Sequence, residues 1–190
     1  MRDFWLMMQP NKDHSMNKLN PIFFAGAVAQ ATGVSPITLR HYRDRGFCDF
    51  GHVIEGGEDN PRSRRRYDVR EACMIGIAVS LSRFGVDLEQ AFSIASKSQS
   101  IEYAIEGALK DADKPDCILC YVGANNFAED DSAWGNFVVL PLPDWKANAA
   151  TAFEATDAFP GGDPAEVLLS VNVSAIARRV IKALCGSDEG

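Results

Sequence analysis

Apolar residues recur through the first half of the chain at helical spacing. Phe24, Val28 and Ala31 fall at i, i+4 and i+7, which predicts a helix over Ile22–Ala31 with one buried face. Thr32-Gly33-Val34-Ser35 follows. Gly33 suits a tight turn that needs a positive φ; Ser35 is a good N-cap and Pro36 suits the first helical position. The second helix is expected over Pro36–Arg45, ending at Gly46. Ile37 and Leu39 are candidates for its packed side, whereas Arg40, His41, Arg43 and Arg45 are polar and mostly cationic. Two helices joined by a turn of about four residues make a helix-turn-helix unit. Phe47–Ser63 is rich in Gly, Asp and Asn and reads as a β-hairpin or an irregular loop, with Gly56-Gly57 as a turn. Arg62, Arg64, Arg65, Arg66 and Tyr67 come next, an arm placed as a wing beside the two helices. Asp68 caps a helix over Val69–Phe84, in which Gly76 is either a weak spot or a close-packing site. Asp87 caps another over Leu88–Lys97, and Ser100–Lys110 carries a further helical stripe.

The pattern changes after Pro115. Cys117–Val122, Phe137–Leu142 and Glu166–Val173 are short apolar runs read as buried strands. An acidic loop spans Asn125–Asn136, a helix is placed from Asp144, and Phe159–Pro164 is loop punctuation. Ser174 is the expected cap of a final amphipathic helix carrying Ile176, Val180 and Leu184. The expected fold class is α+β. Residues 1–20 are expected to be a flexible tail, 21–97 a winged helix-turn-helix domain, 98–114 a connecting helix or linker, and 115–190 a small α/β domain for sensing, dimerising or partner contact.

Charge sharpens this division. The 190 residues carry a net charge of −7, but Pro61–Arg70 carries +4, Pro36–Gly46 carries +2, and Glu102–Asp163 carries −9. A local basic patch, not the charge of the whole chain, is the footprint of phosphate binding. No stretch is long and apolar enough to span a bilayer, and the start does not resemble a secretory signal. Five cysteines, at 48, 73, 117, 120 and 185, are odd in number and scattered, which fits reduced thiols and a cytoplasmic location. Cys117-x-x-Cys120 has no second pair or nearby histidine to complete a zinc set, and both read as core thiols. No nucleophile–base pairing, paired carboxylates or phosphate-cradling glycine loop stands out, so no enzyme activity, cofactor or metal is expected.

The run Ala27–Phe47 resembles the start of MerR-type transcriptional regulators. Ala29, Gly33, Val34, Ser35, Thr38, Leu39, Arg40, Tyr42 and Gly46 match the pattern A-x-x-x-G-V-S-x-x-T-L-R-Y-Y-x-x-x-G-L. Arg65-Arg66-Tyr67 is similar to the family's wing end, and Phe84-Gly-Val-Asp-Leu-Glu89 to its G-F-S-L-E-E segment. The likeness covers residues 22–97. His41 stands in place of a tyrosine, Arg64 in place of the wing's first tyrosine, and Pro115 leaves room for only a short version of the family's dimerisation helix. The resemblance implies a promoter-binding regulator, with the recognition helix in the major groove and the wing across the neighbouring backbone.

Elementary chemistry assigns roles beside that likeness. Arg40 and Arg43, three apart, share a helix face, and their planar forks suit guanine or phosphate. His41 and Tyr42 are expected to reach phosphate or sugar, and Arg62–Arg66 to release counterions. Ser35, Thr38, Arg40, His41, Tyr42, Arg43, Arg62, Arg64, Arg65, Arg66 and Tyr67 are the candidate DNA-binding residues. The expected partners are double-stranded promoter or operator DNA and a second copy of the chain; RNA polymerase or a small-molecule effector are further candidates. Four other readings compete: a phage or mobile-element factor (excisionase-like or for packaging), a protein-interaction module on the same scaffold, plain solvation of the charged face and basic loop, and a small enzyme or redox protein using the C-terminal module, which no residue pattern supports.

Overall fold

The computed structural model describes residues 21–54, 64–110, 114–123, 137–146 and 167–186. The chain opens with a strand, β1 (Ile22–Phe24), which pairs antiparallel with β3 (Arg64–Asp68), Phe24 opposite Arg66. Helix α1 starts only afterwards, over Ala25–Thr32. The expected helical start at Ile22 is therefore corrected: pairing with β3 gives the first three residues backbone partners that a helix N-terminus would leave open. The buried stripe of α1 is Val28, Ala29 and Thr32, and Phe24 is partly exposed.

The turn and second helix form as the residues predict. Gly33 adopts φ 74°. Ser35 Oγ accepts the Thr38 N–H at 3.0 Å, and α2 runs over Pro36–Asp44 with Pro36 in its first turn. Leu39 is 1% exposed but Ile37 is 68% exposed, so the pairing of both on the packed side fails. Residues two apart on a helix stand about 200° apart around the axis, and the core takes only one of them.

β2 (His52–Ile54) pairs with the other edge of β3, giving a three-stranded antiparallel sheet in the order β1-β3-β2. The Gly56-Gly57 turn and Arg62 lie outside the described residues. At its end β3 feeds α3 (Val69–Arg83) through a capping box. Asp68 Oδ1 accepts the Glu71 N–H at 2.8 Å, and Glu71 Oε2 accepts the Asp68 N–H at 2.9 Å. Glu71 Oε1 also accepts the Gly51 N–H at 2.8 Å, fastening the segment before β2 to this helix start. Asp68→Ala should cost about 1 kcal/mol, read as a lower urea midpoint at unchanged slope. An unmoved midpoint would show that the box contributes nothing in solution.

Helix α3 is buried on nearly every side from Val69 to Leu81, as befits a central helix. α1, α4 (Leu88–Lys97, capped by Asp87) and α6 (Val173–Cys185) pack around it. A Cβ at Gly76 would stand 2.9 Å from Val180 Cγ2, so Gly76 is a close-packing site against α6. Between α4 and the strands lies α5 (Gln99–Lys110), which packs on α6.

The second sheet is antiparallel in the order β5-β4-β6, with β4 (Cys117–Gly123) between β5 (Phe137–Pro141) and β6 (Val167–Asn172). Residues 142–146 form a short helical stretch; the rest of the helix expected from Asp144 lies outside the described residues. Ser174 is not the cap of the last helix. Asn172 takes that place, accepting the Ala175 N–H at 2.8 Å, while buried Ser174 turns its Oγ to the Cys117 N–H at 2.9 Å and ties α6 to β4. Asp116 accepts from Asn172 Nδ2 at 2.8 Å and Arg178 Nη2 at 2.6 Å; these two partners hold its carboxyl below the usual carboxylate range.

The protein is thus α+β, built from helices and two small antiparallel sheets. Val28, Leu39, Ile75, Ile105, Leu119, Val173 and Val180 belong to one continuous cluster of buried side chains. The C-terminal sheet and α6 therefore share a core with the front helices, and residues 98–114 do not separate two cores. α6 reads as amphipathic whatever it packs against, so its sequence does not say which core it joins. Among the described residues no helix is long and apolar enough to cross a membrane.

Candidate nucleic-acid interface

The site is a cleft between α2 and β3. A helix places residues three apart on one face, so Ile37, Arg40 and Arg43 look out from the same side of α2. The strand brings Arg64 and Arg65 alongside. These five residues, with Phe24, Pro36 and the edges of Leu39 and Tyr67, line an open cavity of about 520 Å³. Four arginines from segments some twenty residues apart in sequence thus line one concavity.

Each arginine is held differently. Arg40 is exposed, and no ion pair to it forms among the described residues. Arg43 is bridged to the neighbouring Asp44 at 2.8 Å, a partly exposed pair that solvent screens. The Arg64 guanidinium lies over the Phe24 ring, 5.7 Å from its centroid, and Arg66 lies closer, at 4.9 Å. Cation–π stacking of this kind orients a guanidinium without neutralising it. Arg65 packs its stem beside Gly51 and donates from Nη1 to the Phe50 carbonyl at 2.8 Å. Gly51 has φ 86°, and a Cβ there would stand 2.9 Å from both Arg65 Cγ and Tyr67 Cδ1; only glycine lets the chain pass so close to the strand.

Neither a family model nor a curated protein matches this chain.

The predicted site residues divide on these coordinates. Arg40, Arg43, Arg64 and Arg65 come together in the cleft. Arg66 lies over the Phe24 ring and does not line the cleft. Ser35 and Thr38 spend their hydroxyls on each other, 2.8 Å apart, at the start of α2, which makes them positioning residues. His41 is exposed on α2 outside the cleft lining.

Two of the predicted tyrosines turn their rings inward. Tyr67 is 2% exposed: on β3 it alternates inward, its ring belongs to the core, and burial pushes its phenol up. Tyr42 is half-buried, edge-on to Phe92 with centroids 5.5 Å apart, so its ring serves to seat α2 on α4. Arg70, which swells the charge of the basic segment Pro61–Arg70, does not add to the cleft. It forms ion pairs with Glu102 and Glu106 on α5.

Three contributors went unpredicted. Phe24 supplies the ring under Arg64 and Arg66, and the β-prone run Ile22-Phe23-Phe24 was its only signal. Arg83, at the far end of α3, donates from Nη2 to the Gly33 carbonyl at 2.7 Å and so braces the turn; nothing local in sequence announces a partner fifty residues away. Ile37 shares the face of Arg40, a spacing that was readable.

The remaining chemistry is structural. Cys117 and Cys120 are buried, and burial pushes both thiols up, so they are protonated at neutral pH and poor nucleophiles. Cys73, inside α3, is pushed up to about 12. Among the described residues no group of three His, Cys, Asp or Glu side chains is arranged to hold a metal ion.

Proposed function

We propose that the chain is a sequence-specific DNA-binding transcriptional regulator of the MerR type, with α2 seated in the major groove and the β2–β3 ribbon against the adjoining phosphate backbone. The observation that carries this reading is the convergence of Arg40, Arg43, Arg64 and Arg65 on one cleft. A helix with its side chains is about 10–12 Å across, the width of the major groove. Guanidiniums flanking such a helix suit the phosphates that border the groove.

Binding is measured by fluorescence anisotropy with a duplex selected from a random library and with a scrambled duplex, from 50 to 200 mM salt. Each neutralised phosphate contributes about 0.9 to the slope of log K against log salt, so with Arg40 on a base edge the other three arginines predict a slope of roughly −3. The selected duplex should bind at least tenfold tighter than the scrambled one. A flat salt response would exclude the reading. A steep one without preference would leave a non-specific DNA binder.

A further inference from the structure

We infer that Ile37 is a specificity-determining residue that reads the C5-methyl group of a thymine beside the base pair addressed by Arg40. This rests on the DNA-binding reading above and deepens it. Ile37 is 68% exposed, the most exposed of the large apolar side chains on α2, and it lines the same cleft as Arg40 and Arg43. Its exposure has no structural use. Leu39 alone carries the packed side of this turn, at 1% exposed, and Pro36 and the Ser35 cap already fix the helix start. An isoleucine there costs hydration unless something apolar covers it.

Position narrows what that cover is. In helix-turn-helix docking the N-terminal residues of the second helix meet base edges, and Ile37 sits in the first turn of α2. In the major groove the one apolar feature on a base edge is the thymine methyl, which apolar side chains recognise by contact. Ile37 and Arg40 are three residues apart, about 4.5 Å along the helix axis, close to the roughly 3.4 Å between successive base pairs. The two side chains therefore address neighbouring pairs, Arg40 suited to guanine and Ile37 to thymine. A β-branched side chain also has few rotamers to lose on contact.

The test uses the full chain and the duplex selected from a random library. Each thymine is replaced singly by deoxyuridine, which removes the methyl and nothing else. One replacement should weaken binding about three- to fivefold, as expected for one buried methyl. It should lie within two base pairs of the position at which Arg40→Ala loses preference. Ile37→Ala should bind the thymine and uracil duplexes equally, and Ile37→Val should keep part of the difference. Equal affinity of the parent for all uracil duplexes overturns the inference and leaves DNA binding intact. A uracil penalty that persists in Ile37→Ala assigns the methyl to another residue. If no duplex is enriched and binding ignores salt, the DNA reading falls and this inference with it.

Discussion

Phe92→Ala is expected to lower stability by about 3–5 kcal/mol, the range for emptying an aromatic site in a packed core. Phe92 is 2% exposed on the inner face of α4. Its ring centroid stands 5.5 Å from that of Tyr42 on α2 and 6.3 Å from that of Phe50 in the segment before β2. The effect reaches the cleft from behind: Tyr42 seats the helix that carries Arg40 and Arg43, and the Phe50 carbonyl accepts the hydrogen bond that orients Arg65. Urea titration reads the loss as a lower midpoint. For a chain of this size the melting temperature should fall by roughly 10 °C, at 2–4 °C per kcal/mol. A cost under 1 kcal/mol would mean that the ring is not clamped between the two elements. DNA affinity of the variant should fall even where it remains folded, because both walls of the cleft lose their backing.

The second large effect separates base reading from phosphate binding. Arg40→Ala should lower the preference for the selected duplex over the scrambled one by about 1–3 kcal/mol, roughly 5- to 150-fold, the range for one bidentate base contact. Arg64→Ala should weaken binding to both duplexes alike and reduce the salt slope by about 0.9. The assignment of roles is overturned if Arg40→Ala changes both duplexes equally or Arg64→Ala changes only one. Arg64 is the better probe of the strand wall than Arg65. Removing Arg65 also breaks its bond to the Phe50 carbonyl and strips the stem packed beside Gly51, so lost affinity would be mixed with lost structure. Arg64 gives up only a stacking contact with Phe24.

The basic segments are a lesson in what charge counting hides. Seven arginines stand between Arg40 and Arg66, and Arg70 follows. Arg70 is drawn away by two glutamates of α5, whereas Arg40, Arg43, Arg64 and Arg65 line the cleft. A run of cations marks a region; the fold decides which of them share a surface.

Local stereochemistry was legible in the residues alone. Gly33, Ser35-Pro36, Asp68 with Glu71, and Asp87 each act within four residues of themselves, so the turn, the starts of α2, α3 and α4 and the polar face of α2 follow from short-range hydrogen bonds and backbone φ. The tertiary fold alone decided that Ile22–Phe24 is a strand, that Tyr67 points inward, that Ile37 stays in solvent, and that α6 completes the front core. Three of those outcomes depend on a partner far along the chain, β3 for β1, Gly51 for Tyr67 and α3 for α6, and the fourth on no surface arriving over Ile37. Propensity and periodicity measure only what neighbours in sequence prefer, and they carry no information about which distant surface arrives to cover a given face.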